Sequence, residues 1–329
     1  MKKSNIFLMP LIIFIFFSCE KNEKGEIITD SVTEPPYDDP IWHPSGEIIG
    51  FNHMPIREIH QNKDRQYYWK FDLDSMGFWL INTDGSNMRR ILSYYLNTPA
   101  WSPDGKWIAF SNNAQISIMP FDGEQFDTKA IQVLTEEGRN FFPAWSPDGK
   151  KIAFVQSVCD DTIQCGIWIY SLETNKSEFI IMGTDPCWSL QSDFLTYIEN
   201  VYVDGNVTGN NIWIYDFKDK SSKIILHLLS PNLDNRYLRY SPDGTSIAFV
   251  SIMNDVEGIQ LFKINSDGSG LTKLTSNGCT QFSWSPEGSI IYVNFYYKYI
   301  DETTGNLWTM DGDGGNKQPL TYNCFQIMQ

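Results

Sequence analysis

Trp101-Ser-Pro-Asp-Gly-Lys-Trp-Ile-Ala-Phe110 is the stretch that decides the fold, because versions of it occur six times along the 329-residue chain. The six copies begin at Trp42, Trp101, Trp145, Trp188, Tyr240 and Trp284. Their starting residues lie 43 to 59 positions apart. A period of about 40–50 residues is typical of the four-stranded blades of a β-propeller. The sequence therefore predicts an array of six repeated units.

Each copy predicts a tight turn followed by a strand. Pro at the second turn position has its φ already fixed, and Gly at the fourth tolerates positive φ. The apolar run that follows, such as Ile152-Ala-Phe-Val155, is typical of a buried strand. A second phrase with an Asp-Gly turn, such as Phe78 to Gly85, and a closing Leu-Thr pair predict two more strands. We therefore expect an all-β fold, a six-bladed β-propeller of four-stranded antiparallel blades.

The fourth copy departs from the pattern. It reads Trp188-Ser-Leu-Gln-Ser-Asp193 and lacks both the Pro and the Gly. The geometry of this one turn is therefore left open by the sequence.

Together these phrases resemble the TolB-like six-bladed β-propeller of the WD40-like class. The resemblance covers residues 41–321 and implies the propeller fold. The residues between Cys19 and the first blade are too few for the separate α/β domain that TolB carries before its propeller. A role in the Tol system is therefore not carried over to this chain.

The first nineteen residues predict export and lipid anchoring. Lys2 and Lys3 precede an apolar run that ends at Ser18-Cys19, which indicates a signal peptide over residues 1–18. A small residue directly before Cys19 resembles a lipobox, so we expect Cys19 to be acylated. Residues 19–40 are polar and contain proline, as in a flexible tether. An ordinary signal peptide or a membrane anchor is the alternative.

The predicted location is the outer membrane of the cell envelope. The sequence leaves open whether the protein lies on the periplasmic or the surface side of that membrane. The chain has 25 basic and 40 acidic side chains, a formal net charge of −15. This acidic balance disfavours nucleic acid as a partner. We expect a monomer without a cofactor, held at the membrane only by its lipid.

Because the predicted compartment is oxidising, disulfide bonds between suitably placed cysteines are expected to persist. Cys159 and Cys165 bracket the predicted connection between the second and third strands of blade three, where hairpin pairing favours a disulfide. Cys187 occupies a position filled by alanine in sister blades, which indicates a small buried residue. Cys279 and Cys324 could meet only if the C-terminal tail, residues 322–329, returns toward blade six.

Catalytic and metal motifs are weak. No G-x-S-x-G nucleophile elbow occurs, and no hydrolase domain follows the repeats in this sequence. His43, His53 and His60, with Glu58, are a conceivable metal site in blade one, but polar loop chemistry is the stronger interpretation. The run Asp311–Asn316 faintly resembles a calcium loop, although sister blades have simple Asp-Gly turns there. We expect no metal site and no enzymatic activity.

Binding is predicted on one face of the ring. The connections between second and third strands are long in blades one, four and six, and they share a face with the links between blades. Aromatic and arginine side chains, which anchor many interfaces, are common in these segments. The candidate binding residues are Tyr67, Tyr68, Trp69, Tyr95, Arg139, Tyr202, Arg236, Tyr237, Tyr296 and Tyr297. Packing between blades is the alternative role for about half of the aromatic residues on this face.

The sequence therefore favours a non-enzymatic scaffold that binds an envelope protein or a glycan. The main rival is a propeller-type polysaccharide lyase, for which His53 and Arg239 are the nearest candidate residues. A small-ligand sensor in the central funnel is a third possibility. Each unit contains its own four strands, so neither terminus is needed for closure, and the tail could lie along blade one.

Overall fold

Six four-stranded antiparallel sheets form the ring, which confirms the predicted fold class. The computed structural model describes residues 36–61, 67–158, 163–204, 206–228, 236–253, 258–294, 305–322 and 326–328. Each blade takes its four strands from one segment of the chain, as the repeats predict. Among the described residues, helical structure consists of two short 3-10 turns, Leu73–Ser75 and Thr128–Ala130.

Strands are numbered in chain order, and the first strand of each blade lies innermost. Blade one contains β1 (Tyr37–Trp42), β2 (Ile48–His53), β5 (Gly77–Asn82) and β6 (Arg89–Leu92), with β3 (Ile56–Gln61) and β4 (Tyr67–Phe71) inserted between β2 and β5. Blade two contains β7 (Asn97–Trp101), β8 (Trp107–Asn112), β9 (Gln115–Pro120) and β10 (Gln132–Val133). Blade three contains β11 (Asn140–Trp145), β12 (Lys151–Gln156), β13 (Gly166–Ser171) and β14 (Lys176–Ile181). Blade four contains β15 (Thr184–Trp188), β16 (Phe194–Val203), β17 (Asn206–Asp216) and β18 (Ser221–Leu228). Blade five contains β19 (Arg236–Tyr240), β20 (Ser246–Ser251), β21 (Gln260–Asn265) and β22 (Thr272–Lys273). Blade six contains β23 (Gln281–Trp284), β24 (Ile290–Val293), β25 (Leu307–Met310) and β26 (Gln318–Pro319), and β27 (Gln326–Met328) ends the chain.

The Ser-Pro-Asp-Gly turn is held by its own side chains. In blade two the Ser102 hydroxyl donates to the Asp104 carboxylate at 2.6 Å and accepts the Trp107 backbone N–H at 3.0 Å. Gly105 closes the turn with a φ of 69°. Equivalent hydrogen bonds occur in blades three and five. The repeated phrase therefore specifies one compact turn on one face of the ring.

The fourth turn keeps this geometry without Pro or Gly. Ser189 donates to Asp193 at 2.7 Å and accepts the Phe194 N–H at 3.0 Å. Ser192 takes the place of glycine with a φ of 61°. A Ser and an Asp side chain thus hold this turn as well, although the Asp lies four residues after the Ser rather than two, and Ser192 adopts a backbone conformation that favours glycine.

The Leu-Thr phrase has a structural reason as well. In blade two the Thr135 hydroxyl accepts the N–H of Ile116 at 2.9 Å and donates to the Gln115 side chain at 2.7 Å. The same arrangement recurs at Thr275 in blade five and Thr321 in blade six. Because these threonines are buried, the hydrogen bonds satisfy polar groups where the short fourth strand ends.

Blade one carries a separate three-stranded sheet. The hairpin of β3 and β4 leaves the blade, and β27 pairs with β3 in parallel, with Gln326 opposite Glu58 and Met328 opposite His60. Ile56, Ile59 and Trp69 form its small apolar core. The C-terminal tail thus returns to the insert of blade one, in agreement with the predicted placement along that blade.

Hydrogen bonds between side chain and backbone join blade six to blade one. The N–H of Asp39 donates to the Gln281 side chain at 2.6 Å, and the N–H of Trp42 donates to the Ser283 hydroxyl at 3.0 Å. No strand is exchanged between these two blades among the residues that the structure describes.

Apolar clusters lie mainly between neighbouring blades, as in the group that joins Phe78 and Leu80 of blade one to Trp101 and Ile108 of blade two.

Within the described ranges, neither helical turn has the length and apolar composition that crossing a bilayer requires.

Candidate functional site

Five of the six innermost strands contain a residue with positive φ near the central channel. The residues are Asp39, Thr98, Phe142, Asp185 and Tyr237, with φ from 48° to 61°. Each strand breaks register with its neighbour at this point, which is a β-bulge. Non-glycine residues rarely adopt positive φ, and it is a true outlier for Thr and Phe. Bulges of this kind re-aim side chains, here at the axis of the ring.

The positive-φ residues connect one blade to the next. The N–H of Thr98 donates to the Asp39 carboxylate at 3.4 Å, and the N–H of Phe142 donates to the Thr98 hydroxyl at 3.3 Å. The N–H of Tyr237 donates to the Asp185 carboxylate at 3.0 Å. With the bond from Asp39 to Gln281, four of the six blade junctions use the same contact. The Phe142 side chain has no acceptor, so it cannot extend this series to blade four.

The central channel is narrow and polar. Its lining includes Asp39, Asp185, Tyr237, Arg239 and Gln281, and its cavity volume is about 30 Å³. A cavity needs at least roughly 10–15 Å³ to hold one water molecule. The channel therefore has room for one or two waters and is too small for a sugar ring.

Asp39 is a strongly perturbed acid in this channel. Burial raises its pKa well above the ordinary value, and the neighbouring Asp38 carboxylate adds to the effect. Hydrogen bonds from Thr98 and Asn52 and the charge of Arg239 oppose the rise only in part. The Gln281 amide donates to Asp39 at 3.1 Å and to the Tyr237 hydroxyl at 2.9 Å, so the acid is part of the ring closure.

His53 lies in the core of blade one and does not line the channel. Its Nδ1–H donates to the Pro36 carbonyl at 2.7 Å, and its ring stacks on Tyr37 at a centroid distance of 4.1 Å. Burial lowers the pKa of His53 to about 4. Of the two residues considered for a lyase, only Arg239 faces the channel.

The other histidines of blade one occupy separate environments. His43 contacts the next blade, with its Nε2 donating to the Gly105 carbonyl at 3.0 Å and its ring edge-on to Trp101. His60 lies 2.7 Å from the Glu58 carboxylate, which also accepts from Lys70 at 2.9 Å. Among the residues that the structure describes, no three His, Cys, Asp or Glu side chains are grouped as metal ligands.

The face with the inserts is the more elaborated one. The hairpin of β16 and β17 extends beyond its blade to Val203 and Asn206. Much of the long connection predicted between the second and third strands of blade four is therefore strand. Tyr202 and Val203 near the tip of the hairpin are 43% and 54% exposed. Together with the β3–β4–β27 sheet, this hairpin forms what we call the insert face. The opposite side, the turn face, carries the compact hairpins between first and second strands.

The predicted binding residues fall into several environments. Tyr202 and Arg139 are exposed, and the Arg139 guanidinium lies 5.8 Å from the centroid of the Phe141 ring. Trp69 is buried within the insert, where it packs on Ile56 and Ile59. Tyr95 is half-buried, and Tyr237 lines the channel. The structure describes the backbone of Tyr67, Tyr68 and Arg236 but not their side chains. Tyr296 and Tyr297 lie wholly outside the described residues.

The cysteines also differ in environment. Cys165 is disulfide-bonded. Cys159, its predicted partner, lies outside the described residues, as does Cys324, so the pairing stays a prediction. Cys187 and Cys279 are free and buried, and burial raises the pKa of both thiols. Neither is therefore a reactive thiolate at neutral pH.

Comparison with known proteins agrees with this architecture. Residues 70–329 match the family model of the TolB beta propeller domain. The chain belongs to this family. Among solved structures, a putative TolB from Agrobacterium tumefaciens superposes with a TM-score of 0.58 at 21% identity, covering 74% of this chain and 87% of that one. The resemblance predicted from the repeats is thus confirmed.

Two further similar proteins carry the names of enzymes. An oligogalacturonate lyase from Vibrio parahaemolyticus superposes with a TM-score of 0.51 at 11% identity, over 88% of this chain and 85% of that one. At this identity the likeness shows the shared fold alone. An uncharacterized peptidase of Bacillus subtilis is 33% identical over 119 residues, which is 35% of this chain but only 17% of that protein. The chain therefore spans a small part of the length of this curated relative.

Proposed function

We propose that this protein is a non-enzymatic binding scaffold of the cell envelope, and that its insert face binds an envelope protein. In this proposal residues 1–18 are an export signal, Cys19 carries the lipid, and residues 19–40 tether the propeller. The outer membrane is the proposed location.

One observation carries the proposal, namely the one-sided growth of the propeller. The turn face consists of compact hairpins held by Ser and Asp side chains, whereas the insert face carries a second sheet and a projecting hairpin. Function in repeat scaffolds usually lies in such added segments on a rigid framework. Exposed Tyr202 and Arg139 provide the aromatic and cationic groups that anchor many protein interfaces.

The environment of the candidate catalytic residues supports a non-enzymatic role. Within the described residues, His53 is packed in the core and Arg239 faces a channel of only about 30 Å³. The lyase remains the rival hypothesis because Arg239 lies beside two carboxylates there. Incubation with polygalacturonate, with and without a divalent cation, tests it through the unsaturated product. Turnover that is lost in Arg239→Ala would favour the lyase over the scaffold.

Site-specific photo-crosslinking in cells tests the scaffold directly. A benzophenone amino acid replaces Tyr202 on the insert face or, as a matched control, Lys106, which is exposed on the turn face. We expect one dominant protein adduct from position 202 and none from position 106. The same adducts from both positions, or a glycan adduct instead of a protein, would contradict a protein partner at the insert face.

A further inference from the structure

A groove on the turn face lies between blades two and three, remote from the insert face. Its cavity volume is about 450 Å³, which is within the range of about 300–1,000 Å³ typical of small-molecule sites. The side chains that characterise it are Asp104, Trp107, Gln132, Trp145, Asp148 and Leu172. The cavity is many times larger than the central channel.

Blade three lacks an aromatic lid that both adjacent blades possess. Phe121, Leu172 and Phe217 occupy equivalent positions in blades two, three and four. The backbone N–H of each donates to the backbone carbonyl of the residue just before the second strand of its own blade. Phe121 packs on Trp101 at a centroid distance of 5.1 Å, and Phe217 stacks on Trp188 at 5.3 Å.

Blade three has the smaller Leu172 at this position and an anchoring tryptophan, Trp145, that lines the groove. The leucine leaves unfilled the space that an aromatic ring occupies in the two adjacent blades.

The second aromatic wall comes from Trp107 of blade two. Trp107 stands where blade three has Lys151 and blade five has Ser246, at the start of the second strand. The groove thus has one indole from each blade, and both are half-buried and partly covered by the cluster of Ile118 and its neighbours.

Polar groups converge at the same cavity. The hydrogen bonds that hold the two turns end on Oδ1 of Asp104 and of Asp148. These contacts keep the pKa of both carboxyls below the ordinary value, so both are ionised at neutral pH. Among the described contacts, this leaves the second oxygen of each carboxylate as an acceptor. The exposed Gln132 side chain adds an amide.

We propose that this groove binds a sugar ring of an uncharged glycan. The C–H groups on the face of a sugar ring carry partial positive charge and are attracted to the negative face of an indole. Sugar hydroxyls donate to carboxylates and accept from amides, which are the polar groups present. The charged lining residues are both acids, and the chain as a whole is acidic, so a uronate ring is repelled. The site is separate from the insert face and does not depend on a protein partner there.

Two substitutions test the groove with residues that the protein already uses at equivalent positions. Leu172→Phe restores the lid and fills the cavity without removing a lining aromatic group. Trp107→Lys removes one wall and introduces the residue that blade three carries. Phe194→Lys, at the same position in blade four, is the matched control, because Phe194 does not line the groove.

The probes are the uncharged trisaccharides chitotriose, cellotriose and maltotriose, with trigalacturonate as the charged comparison. Binding to the purified protein is measured by calorimetry and by saturation-transfer NMR. We expect saturable binding of at least one uncharged trisaccharide, weakened about tenfold or more by Leu172→Phe and by Trp107→Lys but unchanged by Phe194→Lys. Far-UV circular dichroism and urea unfolding confirm that each variant is folded.

Three results would overturn the proposal. They are the absence of binding by all three uncharged sugars, equal or tighter binding of trigalacturonate, and unchanged affinity when the lid is restored. Crosslinking from Tyr202 in the Leu172→Phe variant separates the two sites, because loss of sugar binding should leave the protein adduct intact.

Discussion

Replacing His53 by Gln is expected to flatten the acid side of the stability profile. His53 is 5% exposed, and burial lowers its pKa to about 4. An unfolded chain has an ordinary histidine pKa of about 6.5. Between these two values the unfolded state binds more protons than the folded state, so the free energy of unfolding falls as the pH falls.

The size of the effect follows from the two pKa values. The contribution of His53 is fully present above pH 6.5, is reduced by about 2 kcal/mol at pH 5, and is reduced by about 3 kcal/mol at pH 4. Gln does not titrate and can still donate to the Pro36 carbonyl, which also accepts the Met54 N–H at 2.9 Å. The variant should therefore be less stable than the wild type at pH 7 if stacking on Tyr37 is lost, but it should lose less stability on acidification.

Urea unfolding of the purified protein at several pH values from 4 to 7.5 measures the difference. Subtracting the variant from the wild type cancels the titration of the other groups, including buried Asp39. His227→Gln is the control, because His227 is exposed on β18. Parallel curves for His53→Gln and the wild type over this range would refute the assigned environment of His53.

Three further outcomes are expected. Gln281→Leu should lower the free energy of unfolding by about 2–4 kcal/mol in urea titrations, because it leaves the Asp39 N–H and carboxylate without this partner; an unchanged midpoint would show that these bonds do not stabilise closure. Deletion of residues 323–329 should lower the melting temperature by roughly 2–4 °C, since it removes a paired strand, and an unchanged value would argue against that pairing. Peptide mapping without reduction should recover Cys159 linked to Cys165, and another partner for Cys165 would show the hairpin pairing to be wrong.

Much of the ring could be predicted because turn chemistry and strand periodicity repeat in register. The Ser-Pro-Asp-Gly phrase specifies a turn through its own hydrogen bonds in blades two, three and five, and variants of the phrase mark the corresponding turns of the other three blades. The Leu-Thr phrase likewise marks the closing edge of three blades through a buried threonine hydroxyl. Local rules of this kind are readable in a single sequence.

The channel bulges could not be predicted in this way. Thr98, Phe142 and Asp185 each precede a proline, and such residues normally favour extended backbone with negative φ. Their positive φ values accompany hydrogen bonds between blades, which join residues 44 to 59 positions apart. A residue's own neighbours contain no signal for a partner at that distance.

The turn-face groove was within reach of the sequence but required comparison of the repeats with one another. Trp107 occupies a position that is Lys in blade three, Phe in blade four and Ser in blade five, and Leu172 occupies a position of Phe in blades two and four. Each substitution alone is an ordinary surface change. The two residues lie on facing walls of one blade junction. Trp107 adds an aromatic ring to the groove, and Leu172 leaves the groove without a lid.

Ring closure depends on two ties between the ends of the chain, and they lie at different radii. The inner tie is the set of hydrogen bonds from Asp39 and Trp42 to blade six. The outer tie is the parallel pairing of β27 with β3, which joins the C-terminal end to the insert of blade one. Because the outer tie is part of the insert face, a partner that orders this sheet also stabilises closure, by the differential affinity it has for the paired state. If a partner binds the insert face as proposed, its binding and the stability of the ring are thermodynamically linked, even though no strand of the described blades is exchanged.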